Sequence, residues 1–234
     1  MSDLLIHVSR RAMACDFEVR FPADRYPHGT ELVLQALDPL EELEEEISFF
    51  RPSSRLSRMN LLAAEEPVEV SPSLFELLRL AMTLFEETDG AYDITAAPLW
   101  EAWGFARRKG EIPSQDQLAE ARSRVGGQWV ELDPARRTIQ FRRPGVRINL
   151  GSIGKGFALD VCGERLTSSG MTDYLFHGGQ SSILARGSQS VDNPWEIGVP
   201  DPNQLGRRIG VLHLRDRALG TSSGQFQSFR HQGR

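Results

Sequence analysis

Residues 147–162 read R-I-N-L-G-S-I-G-K-G-F-A-L-D-V-C. Their order describes a strand that breaks into a glycine-rich turn and opens a helix. Ile148 and Leu150 alternate as in a short buried strand. Gly151, Gly154 and Gly156 let a ligand approach the backbone, and Phe157, Ala158, Val161 and Leu166 resume a helical period. Such a segment supports anion binding. Unpaired N–H groups and the positive end of a helix dipole favour an anion by about 0.3–1 kcal/mol when exposed and by up to about 2 when partly buried. Lys155 adds a positive charge at the same place.

Motif spacing limits which anion this could be. In a Walker A loop a glycine stands five positions before the Gly-Lys pair and a serine or threonine follows it. Here Asn149 and Gly156 occupy those places. A dinucleotide fingerprint is excluded as well, because G-x-x-G-x-G reverses the required order and no βαβ alternation surrounds it. A tight strand-to-helix turn that uses its glycines for packing alone remains the alternative.

Five further segments carry chemistry-bearing residues: Arg11-Ala12-Met13-Ala14-Cys15; a polar stretch at 47–60 containing the aromatic pair Phe49-Phe50; Thr88-Asp89-Gly90-Ala91-Tyr92-Asp93 and the residues that follow it to Trp100; Phe176-His177-Gly178-Gly179-Gln180; and Ala218-Leu219-Gly220-Thr221-Ser222-Ser223-Gly224. Taken in this order with the glycine-rich loop, the chain resembles the ApbE family, the FAD:protein FMN transferases once described as thiamine-biosynthesis lipoproteins. The resemblance runs from about Met13 to Gly233.

The resemblance implies an enzyme that binds FAD with Mg2+, cleaves the diphosphate, and moves FMN onto a threonine or serine of an acceptor flavoprotein, releasing AMP. By position it implies that Met13 touches the flavin nucleotide, that Phe50 lies against a ring, and that Ala91, Tyr92 and Asp93 hold the adenosine part. Gly151 and Phe157 would line the FAD pocket, and the carbonyl of Gly154, where the family often has alanine, would reach the metal. Lys155, Gly178, Gly179 and Thr221 belong to the same motif blocks. The implied acceptors are subunits of membrane redox complexes or flavin reductases.

The residue types are compatible with these roles and also with plainer ones. Phe50 offers an aromatic face for stacking, or a core ring. Asp93 can accept hydrogen bonds from an amino group or a ribose hydroxyl, or cap a helix at 96–103. Gly178-Gly179 suits a turn against a ligand, or an ordinary β-turn. His177 sits in a strand pattern and reads as structural, while Trp100 and Trp103 read as core. Asp93 and Asp160 are each conceivable as a base, and no catalytic residue is assigned.

Phosphoryl transfer depends on positioning and charge neutralisation, with Mg2+ clamping the diphosphate oxygens. The chain departs from the family here. Members usually continue with a His-hydrophobic-hydrophobic-Asp-Pro segment and an Asp…Thr motif that supplies metal ligands, whereas this chain ends at Arg234. It also has Gln180 where many members have aspartate, and Thr221-Ser222-Ser223-Gly224 where a shorter Thr-Ser-Gly is common. One carbonyl is a poor Mg2+ site, since this ion takes near-octahedral oxygen coordination and usually one or two carboxylates. The expectation is that the natural protein is longer, or that this form binds flavin without catalysing. Splitting of FAD to FMN and AMP with water as acceptor is a further alternative.

Composition sets the outer bounds. At 234 residues, with 40% hydrophobic and 25% charged residues, the chain reads as a globular protein with ample core. A net charge of −5 argues against non-specific nucleic-acid binding. Cys15 and Cys162 share no metal-like spacing and each lies in an apolar stretch, which reads as buried thiols. The sequence shows no signal peptide, lipobox or long apolar span. As written it reads as cytoplasmic and not membrane-inserted, although members of the family are often periplasmic.

The elements that must position these residues follow from periodicity. Residues 4–10 and 14–21 read as strands. Residues 30–46 read as an amphipathic helix whose acidic run is a solvated face, and 48–60 as a loop. Ser71-Pro72 opens a helix, with Ser73 and Glu76 spaced as a capping box, that ends before Asp89-Gly90. Ser114 and Gln117 open another. Residues 129–132 and 138–141 form a hairpin, and 174–177, 181–185, 195–199 and 208–214 read as strands. Helices and strands mix without regular alternation, so the fold class is α+β: one ApbE-like mixed helix and sheet domain, with a glycine-rich strand-to-helix loop.

Overall fold

The structure is a computed structural model that describes residues 4–107, 112–190, 193–204 and 206–222. The helices are α1 (Gly29–Ala36), α2 (Pro39–Ile47), α3 (Arg55–Leu62), α4 (Pro72–Glu87), α5 (Ala97–Ala102), α6 (Gln115–Ser123) and α7 (Gly154–Ser168). The strands are β1 (Leu5–Ala12), β2 (Cys15–Pro22), β3 (Val68–Glu69), β4 (Val130–Asp133), β5 (Thr138–Phe141), β6 (Tyr174–Gly178), β7 (Ser182–Arg186), β8 (Trp195–Pro200), β9 (Arg208–Leu214) and β10 (Arg217–Gly220). Two compact units result. One holds the described residues up to Leu43 and from Lys155 to Ser222, the other those from Glu44 to Gly154.

The first unit is built on an antiparallel sheet ordered β1-β2-β6-β7-β10. Strand alternation divides its side chains between two faces. Val8, Phe17, Val19, Phe21, Tyr174, Phe176 and Leu184 are buried in one apolar cluster with Val33, Leu37, Ala158, Leu159, Cys162 and Leu166 from α1, α7 and their flanks. On the other face Leu175, Ile183 and Ala185 cluster with Trp195 of β8 and Leu214 of β9. Strand β10 was not expected: it is short and mostly exposed, and it is held by pairing with β7 from Arg217↔Ala185 to Gly220↔Ser182.

Local chemistry also explains where the helices depart from expectation. The helix expected at 30–46 is two, since Pro39 lacks an N–H and disfavours helical geometry at the residue before it. The expected loop at 48–60 contains α3, whose N-cap Ser54 accepts a bond from the Ser57 N–H at 3.0 Å.

In the second unit Ser71 caps α4 as expected, accepting from the Leu74 N–H at 3.1 Å with Pro72 at the first helical turn, whereas Glu76, expected to form a box with Ser73, pairs with Arg79. The Ser114–Gln117 capping box at the start of α6 is complete in both directions. The β4–β5 hairpin turns on Asp133, whose Oδ1 accepts from the N–H groups of Ala135 and Arg136. Strand β3 joins β5 on its other side.

The strand expected at Ile148–Leu150 is not formed. Ile148 and Leu150 are buried as the alternation requires, but the segment joins no sheet. The Asn60 side chain stands in for a partner strand: its Oδ1 accepts from the Ile148 N–H at 2.8 Å and its Nδ2 donates to the Ile148 carbonyl at 2.9 Å. The Asn149 N–H donates to the Ile94 carbonyl at 2.9 Å. Among the described residues no helix is long and apolar enough to cross a membrane.

Candidate functional site

In the first unit, Met13, Gly178, Gly179 and Thr221 come together at one end of the sheet. The antiparallel register brings the β1–β2 turn, the β6–β7 turn and the end of β10 to the same edge. Met13 and Ala14 are the central residues of the first turn, with φ 50° and 59°. That is the left-handed geometry of a two-residue hairpin, adopted here without glycine at a cost of about 1 kcal/mol per residue.

The next turn contains Gly179 and Gln180, also at positive φ. A Cβ at Gly178 would lie 2.9 Å from Phe17 Cε1, and one at Gly179 would lie 2.9 Å from the Cys15 Cβ. The sheet leaves neither position room for a side chain, whatever ligand the turn also meets. The Gly179 N–H donates to the Asp16 carbonyl at 3.0 Å and the Thr221 N–H to the Ser181 carbonyl at 2.8 Å, which ties the turns together.

Beside this edge, His177 Nε2 lies 3.3 Å from Glu18 Oε1. Burial pushes the Glu18 carboxyl up, but the Arg20 guanidinium, with His177 and His7, outweighs this and holds it below its ordinary 4.5. His177 thus belongs to a charged strip on the sheet face. Its Nδ1 and the Ser181 Oγ are buried and have no hydrogen-bond partner among the described residues.

The glycine-rich connection ends at α7. Gly151 is exposed, and its N–H donates to the Asn149 side chain at 2.8 Å. Gly154 opens the helix and is buried. A Cβ there would stand 2.6 Å from Ile47 Cδ1, so an alanine at this position would displace that side chain. A Cβ on Gly156 would meet nothing within 4 Å. Lys155 and Phe157 are half-buried, and Phe157 packs against the core of the first unit. Asp160 lies on an exposed side of α7, where partial desolvation raises its carboxyl pKa against the lowering pull of Arg186.

In the second unit the 91–95 segment runs beside the glycine-rich connection. The Tyr92 hydroxyl is 3.1 Å from the Ser152 hydroxyl, next to Gly151. Burial raises the Tyr92 pKa, and the Ser152 bond opposes it. Ala91 is exposed. Asp93 does not cap α5, whose N-cap is Ala96 and carries no side-chain bond. Its Oδ1 accepts from the N–H and hydroxyl of Thr95 at 2.7 and 2.6 Å, and its Oδ2 from the Gly127 N–H at 3.2 Å.

Phe50 is 68% exposed, which excludes a core role for its ring. Trp100 and Trp103 are half-buried and not core. Phe49, Phe50 and Trp100 meet edge to face with ring centroids 5.7–6.0 Å apart. Arg147 sits 5.1 Å over the Phe49 ring and bonds Glu101 at 2.8 Å. Ser152, Arg147, Phe49 and Trp100 were not singled out from sequence as site residues. The adjacent pair Phe49-Phe50 was a visible signal; Arg147 and Ser152 lay within the glycine-rich segment, where no role was assigned to them.

The described residues do not by themselves fit a metal. Gly154 offers one carbonyl, and no group of three or more His, Cys, Asp or Glu side chains among them could hold an ion. Cys162 is buried as expected, with its thiol pushed up to about 12 by burial, whereas Cys15 is only partly buried.

An α+β protein whose candidate ligand residues lie on hairpin turns and around a glycine-rich helix start is the class defined by this geometry. Comparison narrows it further. The ApbE family model matches residues 13–234, and the chain belongs to the ApbE family of enzymes. It is 28% identical over 236 residues to the FAD:protein FMN transferase of Haemophilus influenzae, covering 96% of this chain and 67% of that protein. It is 26% identical over 232 residues to the FAD:protein FMN transferase of Vibrio cholerae, with 97% and 69% covered. The chain spans about two thirds of the length of these relatives. Among solved structures, the flavin transferase ApbE from Vibrio cholerae superposes with a TM-score of 0.84 at 26% identity, covering 97% of this chain and 74% of that one. The ApbE protein of Thermotoga maritima gives 0.86 at 25% identity, with 98% and 74% covered.

Proposed function

We propose that this protein binds FAD and transfers its FMN part to a threonine or serine hydroxyl of an acceptor flavoprotein. The hydroxyl oxygen bonds to the phosphorus of the FMN half, the bond from that phosphorus to the bridging oxygen breaks, AMP leaves, and the hydroxyl proton is released. The observation that carries this reading is the family match over residues 13–234 together with relatives named for that reaction.

The geometry gives the reading physical support. The start of α7 presents helix N–H groups beside Lys155, which suits a diphosphate. Phe50 offers an accessible ring. Mg2+ enters through the family resemblance, with Gly154 supplying at most one carbonyl. When bound, the ion would neutralise charge on the diphosphate. A redox-complex subunit or a flavin reductase is the acceptor class that the resemblance suggests, and the compartment follows that acceptor.

A second reading, FAD binding without turnover, is favoured because, among the described residues, no group of three or more His, Cys, Asp or Glu side chains could hold an ion. Mass spectrometry of the chain with FAD, Mg2+ and a threonine-containing acceptor domain separates the two. AMP release with an acceptor heavier by one FMN supports transfer, and loss of that product on chelation supports the metal. Retained FAD without AMP supports the binder. AMP without modified acceptor points to hydrolysis.

A further inference from the structure

Phe50 is an exposed ring in a polar stretch, where a lone phenylalanine would exchange rotamers freely. It is not alone. Phe49 meets it at an interplanar angle of 88° and Trp100 at 67°, and these two rings meet each other at 86°. Arg147 stacks over Phe49 and binds Glu101, the neighbour of Trp100 on α5. Three chain segments therefore close a ring of contacts that fixes Phe50 while leaving the residue 68% exposed. Such an arrangement removes ordering entropy before a ligand arrives.

We propose that Phe49 and Trp100 are positioning residues that hold Phe50 as a preset stacking wall for a flat ring of FAD, with the Arg147–Glu101 pair fixing Phe49 and the helix that carries Trp100. The proposal rests on the FAD reading above and adds two residues to it. Edge-to-face contacts suit the task, because they anchor an aromatic ring through part of its surface and leave the remainder for a ligand.

Calorimetric titration of the full chain with FAD tests it through a double-mutant cycle. Phe50→Ala is expected to weaken binding about tenfold or more. Trp100→Ala and, by an independent route, Phe49→Leu should each weaken it about threefold to tenfold. Trp100→Phe, which keeps a ring edge, should bind within about twofold of the wild type. Because Trp100 acts through Phe50, the double variant F50A/W100A should bind no more weakly than F50A. Thermal melts accompany each titration. If W100A does not fold, W100F and F49L carry the comparison. Wild-type affinity in F49L and W100A, or a double variant weakened by the product of the single effects, overturns the positioning role while leaving the FAD reading intact. A wild type that does not bind FAD overturns both.

Discussion

The hydroxyls of Tyr92 and Ser152, 60 residues apart in sequence, meet at 3.1 Å and fasten the 91–95 segment to the glycine-rich connection. The bond joins two stretches that the family resemblance places around one ligand, so its loss should loosen both. Tyr92→Phe and Ser152→Ala should each cost about 1 kcal/mol in urea unfolding. The double variant should cost little more than either single change, because one interaction is removed twice. Additive losses would show that the two hydroxyls act separately.

Asp93 is held by Thr95 and Gly127 within its own unit, so its carboxylate is first a local organiser. Asp93→Asn turns an amide N–H toward a backbone N–H at one of its contacts. It should cost about 1–3 kcal/mol of stability. Denaturant midpoints measured without FAD check this. Unchanged stability combined with lost FAD affinity would assign the carboxylate to the ligand instead.

Gly154→Ala places a methyl 2.6 Å from the end of the Ile47 side chain. The clash should cost about 1 kcal/mol, partly offset by the better helix propensity of alanine. Combining it with Ile47→Val should recover most of the loss. If G154A alone melts at the wild-type temperature, Ile47 has moved aside at no cost.

Cys162 is fully buried and its thiol is pushed from an ordinary 9.0 up to about 12. A raised folded pKa contributes stability in full below the unfolded value, and that contribution fades as pH rises toward the folded one. Stability should therefore fall between pH 9 and about 12 with a limiting slope of about 1.4 kcal/mol per pH unit from this group. Tyr92 and Tyr174, also raised by burial, add to the decline in the same direction. Cys162→Ala should remove the thiol's share of the slope. Iodoacetamide at pH 8.5 should leave Cys162 unlabelled in the folded chain.

Much of the fold could be read where a signal was local. Strands β1 and β2 announced themselves through alternation, the β4–β5 hairpin through its turn residues, and α6 through the reciprocal cap of Ser114 and Gln117. The failures lie where a distant group decides. Residues 148–150 look like a strand, but their partner is the side chain of Asn60, 88 residues away for Ile148, which no periodicity reveals. Strand β10 exists because β7 offers it an edge. The candidate site was legible mainly through the ordered motif blocks of the family. The cluster around Phe50 depends on α5 and Arg147 arriving at one place, and only its Phe49-Phe50 pair was visible beforehand.

The glycine pair at 178 and 179 has an evolutionary consequence. Phe17 and the Cys15 Cβ already occupy the space that side chains there would need. Selection for an intact sheet is enough to keep both glycines in a descendant that retains β2 as it stands, including one that had abandoned its chemistry. A lineage that changed them would have to shrink or shift β2 in the same step. This doublet therefore marks shared architecture among relatives more securely than it marks shared activity. Residues whose side chains meet open space, such as the Phe50 ring, are where divergence of function would leave its trace.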